Sequence, residues 1–440
     1  MQPSRGPSIP VLSDTFSDGK AASRRQFLKN SVAATAATAA TLTIPQNAFA
    51  AGTEKLRVGL IGCGGRGTGA AIDALHADSQ AEITAVGDTF MDRIESSVAA
   101  MKADEHVGKR VTVAKDHYFD GFDAYKNVID NVDVVILAEP PHFRPQHLEY
   151  AIQQGKHCFV EKPVAVDVPG VRKVEELCEL AKQKRLSIAS GLCWRYDKGV
   201  QETIDRIQNG AIGDIVAIES TYNASSIWYR TPQPEWSQME NQIRNWYYHT
   251  WLSGDHIVEQ AIHSIDKTAW LLGDTQPIKA FGLGGRQQRV DPKYGNIFDH
   301  HTVFYEYANG VKVFFTCRQQ DNTSHSVEEH VLGTAGRAKV LANKIEGQNK
   351  WKFRGDNPNM YRAEHAALFK SIRDNNPIND GHYMCNSTLI AIMGRACTYT
   401  GTELTWEKFT ASEERLGPTT YTWGDVADLP VAIPGITKFV

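Results

Sequence analysis

The chain has no paired-cysteine motif. Its seven cysteines, Cys63, Cys158, Cys178, Cys193, Cys317, Cys385 and Cys397, stand singly. An odd, scattered set argues against a disulfide framework and a structural zinc site, and no metal is expected. There is no polybasic tract and no acidic tail, and the formal net charge is -4 over 440 residues. Electrostatics therefore gives no reason to expect nucleic acid or a membrane surface as partner. No stretch approaches the ~20 apolar residues that span a bilayer. What is present, 42% hydrophobic and 22% charged residues, is the composition of a soluble globular protein. The length exceeds one ordinary core and predicts two domains.

Residues 1–50 read as a leader. Ser23-Arg24-Arg25-Gln26-Phe27-Leu28-Lys29 fits the twin-arginine consensus, an Ala/Thr-rich run follows from residue 31 to 44, and Ala48-Phe49-Ala50 offers a small-residue cleavage site. The expectation is export in folded form to the periplasm or beyond. Any cofactor such a protein uses must travel with it, already bound.

The next segment is built for such a cofactor. Residues 56–61 form a short β-branched run that enters Gly62-Cys63-Gly64-Gly65-Arg66-Gly67, a G-x-G-x-x-G loop, followed by a helical stretch at 68–76. Gly62 permits the turn, Gly64 lets the backbone approach a pyrophosphate, and Gly67 lets the helix pack on the strand. The helix N-terminus presents free N–H groups to the phosphates. A second apolar run ends at Asp88, about twenty residues on, where a carboxylate accepts hydrogen bonds from a ribose diol. Asp88 repels a 2′-phosphate, so NAD is expected over NADP, and nearby Arg93 moderates that preference. Further strands at 133–138, 157–160 and 186–189 alternate with helices at 147–154 and 169–184, the rhythm of a Rossmann domain over residues 51–190. Pro140 and His142 follow the strand at 133–138 at the sheet edge where ligands sit, and Glu161-Lys162-Pro163 follows the next.

This fingerprint together with Glu161-Lys162-Pro163 resembles the Gfo/Idh/MocA oxidoreductases, whose members include glucose–fructose oxidoreductase and inositol dehydrogenase. The resemblance implies that Lys162 lies between nicotinamide and substrate hydroxyl. It also implies a carboxylate four residues before a histidine on a helix facing the nicotinamide, a pattern that Glu259 and His263 match. Glu259 stands where aspartate is usual and Ala261 where glycine is. Independently, residues i and i+4 share a helix face. A histidine can accept the hydroxyl proton near neutrality while a lysine stabilises the alkoxide. Lys162, His263 and Glu259 are the expected catalytic residues.

From residue 191 to 440 the pattern changes to longer alternating strands, the best at 215–222, 279–283, 301–307, 311–317 and 326–332. Asn309-Gly310 marks a hairpin turn. The expected class is α/β, a Rossmann domain followed by a domain with an open, mostly antiparallel sheet. In the family that sheet commonly builds a dimer interface, so a homodimer or homotetramer is expected. Residues 223–245, with Pro232 and Pro234, read as a long loop in an aromatic neighbourhood. Aromatic rings stack on the C–H faces of sugars, and Trp194, Arg195, Tyr196, Trp246 and Tyr248 are the expected substrate contacts. Two enzyme readings follow: oxidation of a CH–OH group in a sugar or glycoside, or a redox-neutral glycosidase or lyase that oxidises its sugar only transiently. A non-catalytic sugar or NAD sensor is disfavoured by Lys162, Glu259 and His263.

Overall fold

The computed structural model describes residues 54–440; the leader expected at 1–50 lies outside the described residues. The first sheet holds β1 (Leu56–Ile61), β2 (Ala81–Asp88), β3 (Tyr118–Asp120), β4 (Val134–Leu137), β5 (His157–Val160) and β6 (Ile188–Ser190), in the order β3-β2-β1-β4-β5-β6. Every pairing is parallel. The short apolar strands suit a sheet covered on both faces. Leu56, Val58 and Leu60 point into one core, with Ala70, Ala71 and Leu75 of the helix Gly65–Ala77. Val135, Leu137 and Val160 point into another, with Leu148 and Val171. The order reverses between β1 and β4, the crevice where doubly wound sheets bind ligands.

The second sheet holds β7 (Ile215–Ala224), β8 (Lys279–Gly285), β9 (His300–Glu306), β10 (Lys312–Gln319), β11 (Ser326–Gly333), β12 (Gly336–Lys339), β13 (Lys344–Gly347), β14 (Trp351–Lys352) and β15 (Leu404–Thr405). Its order is β14-β13-β12-β11-β7-β10-β9-β8-β15. All pairs are antiparallel except β7 with β10. The turn at Asn309-Gly310 joins β9 to β10, with Gly310 at φ 84. The short strands β12 to β15 escaped the pattern reading because two to four residues carry too little alternation.

Two further segments position the site. The helix Met360–Arg373 sends Leu368, Phe369 and Ile372 into the first sheet's core. Within the expected loop 223–245 lies a helix, Gln238–Arg244, capped by Ser237, whose Oγ accepts from Glu240 N at 3.1 Å. The Ser-x-x-Glu spacing of a capping box was there to be read.

Candidate active site

The glycine loop closes with no room for a side chain at Gly62 or Gly67. Gly62 sits at φ +92, and a Cβ there would lie 2.4 Å from Glu139 N; one on Gly67 would lie 1.9 Å from Gly62 O. A Cβ on Gly64 meets nothing nearer than Arg93 Nη1 at 3.8 Å. Cys63 N donates to Asp88 Oδ2 at 2.7 Å, so the loop is tied to the end of β2. Beside it runs a cleft lined by Gly62, Asp88, Phe90, Arg93, Glu139 and Pro140 from the Rossmann side, and by Ile243 and Trp246 from the second domain. Two buried polar groups there are poorly satisfied: Arg93 Nε and Glu139 Oε2 have no hydrogen-bond partner, and Glu139 Oε1 has only His147 Nδ1 at 3.3 Å. Unpaired buried polar atoms are costly, and a ribose hydroxyl and a phosphate are the groups that relieve them. The chemistry of these groups suits the hydroxyls and phosphates of a dinucleotide. Burial raises the Asp88 carboxyl, with the Arg93 guanidinium opposing.

Several expected cofactor contacts sit elsewhere. Arg66 does not reach into the cleft: its guanidinium pairs with Glu161 and with Glu364 (3.1 Å) under the Tyr361 ring. Burial alone would raise the Glu161 carboxyl, but Arg66, Lys162 and Arg144 hold it below its ordinary value. With both its partners carboxylates, Arg66 braces the loop against the helix Met360–Arg373, and Glu161 is the brace's other end. His142 turns its Nε2 to Tyr421 Oη at 2.8 Å and is pushed down to about 4 by burial and by His147. Glu139, beside Pro140 at the same sheet edge, lines the cleft, and no local motif in the sequence marks it.

Lys162, at the end of β5, donates from Nζ to Glu259 O at 2.6 Å and to Glu259 Oε1 at 3.0 Å. Arg144 holds the following peptide by donating to Pro163 O, and donates also to Glu139 O. Its charge bears on Glu139, Glu161 and Glu259 together, linking the cleft to the Lys162 pair. The expected shared helix face is corrected: the helix breaks between His256–Glu259 and Ile262–Leu271. Ala261 N bonds back to His256 O, and Glu259 turns to Lys162. His263 remains beside this pair, its Nδ1 without a partner. Its expected titration near neutrality is also corrected. Burial first, then the charges of Lys162, Lys267 and Arg66, hold its imidazolium well below the ordinary range.

The break has an anchor. Asp255, at φ 77, accepts from His256 Nδ1 (2.7 Å), Phe298 N (2.9 Å) and Tyr399 Oη (2.5 Å), with His301 Nε2 at 3.4 Å. Asp255, His256 and His301 bring one ligand-type atom each within 4.8 Å of one another, but these hydrogen bonds already occupy the carboxylate. Glu259 N in turn bonds to Asp255 O at 2.9 Å. The network thus fixes where Glu259 begins.

Most expected substrate residues are held by the protein's own groups. Arg195 pairs with Asp266 and Asp274 (2.8 and 2.6 Å) over the Tyr383 ring. Tyr196 donates to Asp380 at 2.9 Å. Tyr248 is fully buried and donates to Trp228 O at 2.8 Å. Trp194 lies against Lys267, with Nζ 5.1 Å from the ring centre. Composition marked these rings and charges as a cluster but could not tell core from cleft. Trp246 lines the cofactor cleft. Its neighbour Tyr247 donates to Gln260 beside Glu259 at 3.1 Å, and Trp228 and Arg230 stay exposed.

Comparison with known proteins gives this arrangement a lineage. A family model described as "Oxidoreductase family, NAD-binding Rossmann fold" matches residues 56–191, and "GFO/IDH/MocA C-terminal domain" matches residues 200–339. Inositol 2-dehydrogenase of Cereibacter sphaeroides is 27% identical over 291 residues, covering 65% of this chain and 73% of that protein. A glycosyl hydrolase family 109 protein of Solibacter usitatus is 28% identical over 201 residues, 43% of each chain. The solved structure of levoglucosan dehydrogenase with NADH and levoglucosan superposes with a TM-score of 0.62 at 16% identity, over 80% of this chain and 99% of that one. It is similar in fold.

Proposed function

The chain belongs to the Gfo/Idh/MocA family of NAD-binding oxidoreductases, and from that footing we propose that it oxidises a CH–OH group of a sugar or glycoside with a dinucleotide it keeps bound. The observation that carries this reading is the Lys162–Glu259 pair beside a neutral His263, joined through Arg144 to the cleft that holds Asp88. Bound NAD supplies a hydride acceptor. Loss of hydride from the carbinol carbon requires the hydroxyl proton to leave as well. Lys162 donates a hydrogen bond to the developing alkoxide and stabilises its charge. Glu259 aims the ammonium, and His263, unprotonated at neutral pH with Nδ1 free, takes the proton. The cations around His263 then favour the proton's onward release.

Resemblance to the glycosyl hydrolase family 109 protein favours a second reading, in which the hydride returns to the sugar after a glycosidic bond has broken. A panel of sugars and glycosides incubated with cofactor-loaded protein separates the two. Oxidised sugar in the mass spectrum with reduced nicotinamide absorbance supports the first. Cleaved glycoside without net reduction supports the second, and no product from any member sinks both. Asp88→Ala sharpens the cofactor assignment. It should weaken NAD binding by about 1–3 kcal/mol and narrow the preference over NADP; an unchanged ratio means another residue reads the ribose.

The same proposal includes export by the twin-arginine route, supported by Ser23 to Lys29 and tested by fractionating cells that carry Arg24→Lys with Arg25→Lys. It also includes self-association through the second sheet. Phe281, Phe304 and Phe314 lie in register across β8, β9 and β10, and Phe281 and Phe314 are nearly half exposed (48% and 45%). Exposed apolar ladders of this kind mark interfaces. Phe314→Glu should lower the mass measured by light scattering.

A further inference from the structure

The chain after the last helix, Trp406–Thr410, has no helix or strand, yet part of it takes a defined course against residues that line the cofactor cleft. Leu416 N donates to Asp167 Oδ2 at 2.9 Å, on the Rossmann side. Tyr421 Oη meets His142 Nε2 at 2.8 Å, and its ring lies 5.2 Å from Phe143 and 5.6 Å from Phe122. The Trp423 ring lies 4.8 Å from Phe122 and 5.6 Å from Phe90. Beyond it the segment ties to the helix Gln238–Arg244 of the second domain. Gly424 O accepts from Met239 N at 3.0 Å, Val426 N donates to Gln238 Oε1 at 3.2 Å, and Gln242 Nε2 donates to Asp428 Oδ1 at 2.8 Å.

Phe90, Phe122 and Phe143 line the cleft from one bank, and Ile243 and Trp246 line it from the other. These residues, with Met239, Trp251, Leu416, Tyr421 and Val426, form one apolar cluster. The tail thus binds to both banks at once, and the banks cannot part without breaking it.

We propose that residues 416–428 are a strap across the dinucleotide cleft that sets how fast the cofactor leaves. This rests on the reading that the cleft takes NAD. A segment held only by side-chain contacts and a few hydrogen bonds opens locally at lower cost than the sheets beneath it, so it admits a cofactor during folding. Once closed, it makes dissociation wait on the strap. Such retention is what an exported enzyme without a free pool of cofactor needs.

The test uses the full chain loaded with NADH and chased with excess NAD, release being followed by the loss of protein-bound NADH fluorescence. Trp423 is half exposed (48%), so Trp423→Ala should fold with an unchanged melting midpoint and release NADH at least tenfold faster. Tyr421→Phe, which deletes only the bond to His142, should give a smaller acceleration in the same direction. Leu429→Ala, just past the strap, should release like wild type. Hydrogen exchange at the Met239 and Val426 amides should quicken in Trp423→Ala. Release from both strap variants within twofold of wild type overturns the strap. Wild-type protein that binds neither NAD nor NADH overturns the cofactor reading instead.

Discussion

The glycine loop and the segment that carries Glu259 and His263 serve one site by opposite means. The loop works by what it leaves out. Gly62 and Gly67 have no side chain where one would strike backbone, either the loop's own or that of Ala138 and Glu139 just past the adjacent strand β4, and Cys63 N is tied to Asp88 within the same βαβ unit. The segment from Ser253 to Asp266 works by side chains held from a distance. Asp255 is fixed by Phe298 and Tyr399, 43 and 144 residues further along, and only then does Glu259 reach Lys162. One half of the site is local backbone geometry, and the other is tertiary packing.

The largest effect should come from filling the loop. Gly67→Val drives atoms into the Gly62 carbonyl, and we expect NAD affinity to fall by ~10³-fold or more, since such clashes cost over ~4 kcal/mol. Gly64→Ala is the contrast: its Cβ has space, so unfolding of the free protein should change by no more than about 0.5 kcal/mol while NAD still binds more weakly. Calorimetric titration and urea unfolding read both. A Gly67→Val protein that binds NAD normally would remove the distinction between the halves.

Next in size is Lys162→Met. The single-turnover rate of hydride transfer should fall by roughly 10²–10⁴-fold with the amount of bound dinucleotide unchanged. Equal losses in binding and rate would place Lys162 with the loop and not with the distant-held half.

The same contrast explains what the sequence revealed. The loop, Asp88 and the βα rhythm were legible because strand, turn and helix N-terminus are decided within a few residues. The pairing of Glu259 with His263 on one helix was misread, because periodicity cannot see the positive φ of Asp255 or the break at Gln260-Ala261. Arg195 and Tyr248, expected to contact substrate, are held by the protein's own groups, which the sequence hides for a related reason. An arginine or tyrosine near a site looks the same in sequence whether Asp266 or a sugar holds it. The brace of Arg66, Glu161 and Glu364 joins positions 298 residues apart, beyond any local pattern.

Asp255→Asn tests the anchor of the distant-held half. It keeps shape but loses charge beneath three strong donors, and stability should drop by about 2–3 kcal/mol in urea unfolding at neutral pH. Burial alone would raise this carboxyl, but His301, His256 and their hydrogen bonds hold it well below the usual range. Its folded pKa is thus depressed, so its contribution is present above the unfolded carboxyl value and lost as pH falls through the folded one. The gap between wild type and variant should close in acid. A gap that is constant with pH would mean the charge does no anchoring.

The smallest effect is the most discriminating, because it asks whether His263 shares a field with Lys162. Burial, Lys162, Lys267 and Arg66 all depress the imidazole, so wild-type His263 should stay neutral well below pH 6.5 in a histidine-detected NMR titration. A step that needs the neutral ring should keep its rate through neutrality and lose it only as pH falls through that depressed value. Lys162→Met removes one cation and frees the Glu259 carboxylate, which sat 3.0 Å from it. Both changes favour imidazolium, and the titration should rise. Adding Glu259→Gln takes away the freed carboxylate, so the double variant should fall between wild type and Lys162→Met. That order separates the two charges without any substrate. Identical titrations in all three proteins would mean His263 does not feel Lys162, and the shared field would be refuted.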